Sequence, residues 1–195
     1  MEQLLKENVK RTTGHELTDE EYELFCSFVF KKSFDKKEIL AETGNICRYV
    51  YFILKGSAYS YYLNEAGEKH AIQFALEGYW ISDQYSFFSK RPGIYSIETL
   101  EPTEVLVLNR DNYEEICRSS HVFEHFFHVL MQNAFVALQY RLTKTNSEEA
   151  ANRYLEFSQL YPHFIQRIPQ YLIASYLGIA PQSLSRVRKN LVTKD

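Results

Sequence analysis

Four glycines, Gly44, Gly56, Gly67 and Gly78, punctuate the first half of the chain at intervals of 12, 11 and 11 residues, and no other feature limits the fold as strongly. Glycine takes positive φ without steric cost, so evenly spaced glycines between β-favouring runs mark the turns of consecutive hairpins. The runs between them fit: 38–41, 49–55, 57–63, 69–74, 79–82, 95–100 and 104–108 are rich in Tyr, Phe, Ile and Val. Seven or more short strands predict an antiparallel barrel or roll. The spacing specifies a scaffold and no ligand.

Helices flank this region. Thr18-Asp19-Glu20-Glu21 is a capping box, predicting a helix over 19–29 with Tyr22, Phe25 and Val29 on one face. Asp111 is the expected N-cap of a short helix, and a long amphipathic helix is expected over 122–144. In it Phe127, Leu130, Ala134 and Ala137 recur at spacings of 3, 4 and 3, the rhythm of a seam between two helices, and the small alanines permit close approach. These four residues are the candidate homodimer seam. Phe126, Val129, Val136 and Tyr140 form a second apolar face for the roll itself. Ser147-Glu148-Glu149 is expected to cap a further helix to about residue 160, which Pro162 ends.

The 195 residues are 45% apolar, enough for packed cores without metal or disulfide help. Cys26, Cys47 and Cys117 are odd in number and widely spaced, matching neither a secreted disulfide framework nor a zinc motif. No run approaches a membrane span, and the start Met1-Glu2-Gln3 is unlike a basic signal. The expectation is a cytoplasmic protein with no membrane partner and no cofactor. The net charge of −3 hides an asymmetry: residues 141–195 carry eight Lys/Arg against four Asp/Glu, a local +4 that leaves about −7 for the rest. A basic tail on an acidic body points to a polyanion at the C-terminal end.

The stretch from Arg167 to Lys189 carries the function. Pro169 suits the first turn of a helix running to about Leu177, and Gly178 suits the left-handed position that stops it. Pro181 opens a second helix. Ala174 is small where the two cross, and Ile173, Leu177, Ile179, Leu184 and Val187 supply apolar contacts. This is a helix-turn-helix, whose second helix enters the major groove of double-stranded DNA. Gln182 and Arg186 are the candidate base readers, since Gln pairs with adenine and Arg with guanine bidentately. Ser183, Ser185, Arg188 and Lys189 complete the outward set, with Ser183, Arg188 and Lys189 suited to phosphates.

The glycine rhythm, the long helix around Leu130 and the motif from Pro169 to Lys189, in that order, resemble the cyclic-AMP receptor protein/fumarate-nitrate regulator (Crp/Fnr) family over nearly the whole chain. The resemblance implies an α+β fold: an N-terminal cyclic-nucleotide-binding-like β-roll over 1–110 with N-terminal helices, a dimerisation helix region over 111–144, and a helix-turn-helix domain over 145–195 that lacks a full wing. It also implies a transcription regulator acting as a homodimer through contacts with DNA and RNA polymerase.

The departures bear on the effector. Nucleotide binders of this family use a Gly-Glu pair toward the ribose and an Arg-Ser/Thr pair on the cyclic phosphate. Here Ile81-Ser82-Asp83 and Gly93-Ile94 stand at those places. Asp83 could keep the sugar contact, and only Arg91, through a shifted loop, could replace the phosphate ligand. Asp83, Gln84, Arg91 and Tyr95 are therefore the candidate effector-pocket residues. A buried cyclic phosphate without its arginine loses charge-assisted bonding, which argues against cyclic AMP. Two readings stay open: the roll takes another small-molecule effector, uncharged or apolar, in a Tyr/Phe-lined pocket, or it is a structural relic. The alternative function is a sensor or protein-interaction module with a vestigial helix-turn-helix. An enzyme is not expected: His70 is the only histidine of the β region, and no nucleophile motif, P-loop or metal triad is present in the sequence.

Overall fold

The computed structural model describes the backbone of residues 1–192 and the side chains of residues 1–189; Lys194 and Asp195, counted in the charge balance, lie outside the described residues. The chain forms two compact units, one of Met1–Tyr62 with Gln73–Ala134, the other of Leu63–Ile72 with the chain from Phe135 onward.

Along the chain, helices α1 (Glu2–Thr13) and α2 (Asp19–Phe28) precede strands β1 (Val29–Phe34), β2 (Ile39–Ala41), β3 (Tyr49–Lys55), β4 (Ala58–Leu63), β5 (Lys69–Ala75) and β6 (Trp80–Ile81), all in the first unit save Leu63 of β4 and Lys69–Ile72 of β5. Helix α3 (Gln84–Ser89), strands β7 (Ser96–Thr99) and β8 (Thr103–Asn109), α4 (Arg110–Ser119) and the start of α5 (His121–Ser147) follow. The strands make two four-stranded sheets, ordered β1-β8-β3-β6 and β2-β7-β4-β5. Antiparallel register runs from Val29 opposite Leu108 to Phe34 opposite Thr103, and pairs Tyr51 with Val107 and Ala58 with Thr99. The expected α+β roll is borne out. Gly44, Gly56, Gly67 and Gly78 all have positive φ, between 77° and 93°, as turn glycines should.

Alternation along the strands builds two cores, because successive side chains leave a strand on opposite faces. Tyr51, Ile53, Val105 and Val107 point between the sheets with Phe34, Ala58, Ile81 and Ile97. Their neighbours Phe52, Leu106 and Leu108 point the other way, onto Leu5, Val9, Phe25, Ile116, Phe123, Phe126 and Phe127 of the helices. Strands β3 and β8 are thus covered on both faces. Trp80 gathers the helical side, with Phe52 at 4.9 Å and Phe127 at 5.5 Å between ring centroids. Its indole N–H donates to the Asn8 amide oxygen at 3.0 Å, and the Asn8 amide nitrogen donates to the Gly78 carbonyl at 2.8 Å.

Several local expectations change. The capping box at Thr18 and Glu21 is present, but α2 ends at Phe28 and its continuation is β1, a strand the sequence reading missed. Asn109, not Asp111, caps α4, its side chain accepting from the Asn112 N–H at 2.8 Å. Ser147 does not cap the next helix: α5 continues to it, and its hydroxyl donates to the Thr143 carbonyl. Among the described residues no helix is long and apolar enough to cross a membrane.

The second unit holds α6 (Ala150–Leu160), α7 (Pro162–Arg167), α8 (Gln170–Tyr176) and α9 (Pro181–Val192). Pro162 follows the end of α6 as expected and also starts α7, where its missing N–H costs nothing. Pro169 is the N-cap of α8 instead of lying inside its first turn. Tyr154, Phe157, Phe164, Leu172, Ile173, Leu177, Ile179 and Leu184 are among its buried apolar side chains.

Candidate nucleic-acid interface and effector cassette

The turn between α8 and α9 is fixed by the backbone. Gly178 has φ of 63°, its N–H donates to the Ser175 carbonyl at 3.1 Å, and the Ile179 N–H donates to the Ala174 carbonyl at 2.8 Å. This pair of bonds is a Schellman motif, which satisfies the last carbonyls of α8 and turns the chain sharply. Ala174 is fully buried at the crossing, and Leu184 faces inward from α9.

On α9 the residues Gln182, Ser185, Arg186 and Lys189 lie 3, 1 and 3 positions apart and so share one face; all four are exposed. Ser183, half-buried, and Arg188, exposed, lie on opposite flanks of that face. The structure therefore brings the expected base readers, Gln182 and Arg186, side by side on the outward surface of the second helix.

Three of the eight basic residues of the C-terminal segment serve another purpose. The Arg153 guanidinium donates to the carbonyls of Leu177 at 3.0 Å, Gly178 at 3.2 Å and Glu148. Arg141 lies 4.3 Å from the centroid of the Tyr176 ring and reaches the Tyr176 carbonyl at 3.5 Å. Burial raises the Tyr176 hydroxyl pKa. Lys144 pairs with Glu148 at 2.5 Å and with Glu156 at 3.6 Å, and these carboxylates hold its ammonium protonated. A charge count alone assigns these cations to a polyanion; the carbonyl partners of Arg141 and Arg153 leave no mark in a sequence.

The four seam candidates separate. Phe127 is 2% exposed, packed against Trp80, Tyr113 and Phe126, and Leu130 is half-buried against the same core. Ala134 and Ala137 are exposed. Sequence reasoning passed over the neighbouring stripe Met131, Phe135, Leu138 and Leu142, spaced 4, 3 and 4 along α5. Phe135 is 59% and Leu142 62% exposed, and Leu138 is also open. The signal was present, since both stripes carry heptad spacing.

The effector candidates do not converge on one open pocket. Asp83 is fully buried, and its carboxylate caps α3: Oδ1 accepts from the Ser86 N–H at 3.1 Å, while Oδ2 accepts from the N–H groups of Ile94 at 2.8 Å and Tyr95 at 3.0 Å. Gln84 and Tyr95 are half-buried, and the Arg91 side chain is exposed. Arg91 contributes its carbonyl instead, which accepts from the Ser86 hydroxyl at 2.6 Å. Arg110, unnoticed in the sequence, donates to the carbonyls of Phe87 and Cys47, both at 2.7 Å, closing the other end of α3. Among the described residues no group of three or more His, Cys, Asp or Glu could hold a metal ion.

Comparison with known proteins adds to this geometry. Residues 31–120 match the cyclic nucleotide-binding domain family. The regulatory protein HlyX of Actinobacillus pleuropneumoniae is 26% identical over 168 residues, covering 80% of this chain and 69% of HlyX. Among solved structures, FixK2 from Bradyrhizobium japonicum superposes with a TM-score of 0.72 at 19% identity, covering 85% of each chain. The catabolite activator protein of Thermus thermophilus gives a TM-score of 0.61 at 18% identity, covering 96% of this chain and 87% of that one. At such identities the structural likenesses establish the fold.

Proposed function

We propose that this chain is a regulator of the Crp/Fnr type, a dimeric DNA-binding transcription regulator whose recognition helix is α9, a reading supported by the cyclic nucleotide-binding domain match, the likeness to HlyX and the fold shared with FixK2. The observation that carries the reading is the exposed face of Gln182, Ser185, Arg186 and Lys189 on a helix set by the Gly178 turn. Gln182 and Arg186 read base edges, and Ser183, Arg188 and Lys189 hold phosphates. Contact with RNA polymerase belongs to the same proposal. The dimer seam is the stripe Met131, Phe135, Leu138 and Leu142, with Ala134 and Ala137 alongside, because leaving these large side chains in water forgoes apolar burial that a second copy provides. Two recognition helices then meet successive major grooves about 34 Å apart.

A selection from random duplex DNA with the purified chain tests this. A two-fold-symmetric motif enriched by the wild type and lost in Gln182→Ala/Arg186→Ala is the expected result. Equal enrichment by both proteins, or by neither, removes α9 as the reading element.

A further inference from the structure

The cassette around α3 has an unusual balance of charge. Asp83 carries a fully buried carboxylate, and no cation pairs with it among the described residues. Its partners are the backbone N–H groups of Ser86, Ile94 and Tyr95. Burying an ion in this way is costly unless its lone pairs are filled, and three converging N–H donors fill them. Consecutive N–H groups aimed at one point form an anion-binding nest. Here the anion is part of the chain.

The surroundings fit that occupant closely. Gly93 is the glycine whose φ is not in the left-handed region, so its small size has another cause. A Cβ at Gly93 would stand 2.8 Å from Asp83 Oδ2 and 3.0 Å from the Asn45 carbonyl oxygen. The Gly93 N–H donates to that same Asn45 carbonyl, and the Gly44 N–H donates to the Gly93 carbonyl, each at 2.8 Å. The Ser86 hydroxyl links the Arg91 carbonyl, to which it donates, with the Cys47 N–H, from which it accepts at 2.8 Å. The loop from Lys90 to Tyr95 is thus drawn onto α3 from both sides, with the carboxylate at the centre.

We propose that Asp83 is the built-in anion of this cassette: its carboxylate fills the three-amide nest and holds the 90–95 loop against α3, so the loop closes with no bound anion or nucleotide. This goes beyond the DNA-binding reading and does not depend on it, since both the loop and its occupant lie in the first unit.

Amide hydrogen exchange of the full-length protein, read residue by residue by NMR, tests the proposal. In the wild type the Ile94 and Tyr95 amides are protected, and millimolar cyclic AMP or inorganic phosphate leaves their exchange and chemical shifts unchanged. In Asp83→Gly their protection falls by about tenfold or more, and sodium formate restores it saturably where sodium chloride does not. Asp83→Asn, close in shape, keeps the fold if the glycine variant does not; its amides also lose protection, and formate, sterically shut out, has no effect. Unchanged Ile94 and Tyr95 exchange in Asp83→Asn overturns the proposal, as does a saturable response of these amides to cyclic AMP or phosphate in the wild type.

Discussion

Arg153 donates from Nε to the carbonyl of Leu177 at 3.0 Å, so a cation on α6 is fastened to the last turn of α8. The carbonyl end of a helix carries partial negative charge, which the guanidinium complements. Through Glu148 and Gly178 the same side chain also ties the end of α5 to the turn that launches α9. The orientation of α9 therefore depends on a residue that lies off its surface.

Arg153→Ala should lower affinity for a selected DNA site about tenfold or more while leaving the slope of log affinity against log salt unchanged, because no phosphate contact is lost. Arg188→Ala should instead reduce that slope by about one for each phosphate contact removed. Salt titrations of both variants separate the roles. A changed slope in Arg153→Ala would place its guanidinium on the DNA.

The proposed seam makes a matched pair of variants. Leu138→Glu puts a charge in the exposed stripe and should yield a well-folded monomer by analytical ultracentrifugation. Phe127→Ala should leave the subunit count alone and destabilise the fold by about 3–5 kcal/mol, as an emptied aromatic core site does. If Leu138→Glu remains a dimer, the two copies meet elsewhere.

Two turn glycines differ in what surrounds them. A Cβ at Gly56, φ 93°, would lie 2.6 Å from the Pro102 carbonyl oxygen and 2.9 Å from the Thr103 Cα, whereas at Gly67 nothing lies within 4 Å. Gly67→Ala carries only the left-handed backbone penalty, about 1–2 kcal/mol. Gly56→Ala adds a collision with main chain and should cost about 3 kcal/mol or more, lowering Tm by roughly 6 °C or more. Equal melting temperatures would contradict the close approach of Gly56 to Pro102.

Burial pushes the Cys117 thiol up to about 11 and the Tyr113 hydroxyl up to about 12. Both groups are neutral when protonated, so the fold favours the protonated forms. Their contribution is complete below the unfolded-state pKa values and fades as pH rises through the folded ones. Stability to urea should accordingly decline between about pH 9 and 12, and Cys117→Ala should flatten the lower part of that decline. Cys117 should also resist alkylation at neutral pH, since the thiolate is the reactive form.

Elements whose cause is local could be read from the sequence. The turn glycines need positive φ, Thr18 and Glu21 meet across one helical turn, and Gly178 stops α8, each through neighbours a few residues away. Strand β1 was hidden because four of its six residues face outward, leaving no clean alternation in Val-Phe-Lys-Lys-Ser-Phe. On α5 two apolar stripes carry similar spacing, and only the packing of Phe127 against Trp80 tells which one starts in the core. Asp83 and Arg153 were the least legible: both act on backbone groups, Asp83 on amides up to 12 residues away and Arg153 on carbonyls 24 and 25 residues away, and a main-chain partner has no letter.

Helix α5 is fully buried at Phe123 and bare at Leu142. Under the dimer proposal the bare half gains its apolar burial only when another copy arrives, so its integrity rises with the amount of protein in the cell. Dilution would loosen this half while the roll stays intact. The concentration of the regulator would then act as a signal in its own right, read by the same helix that joins the copies.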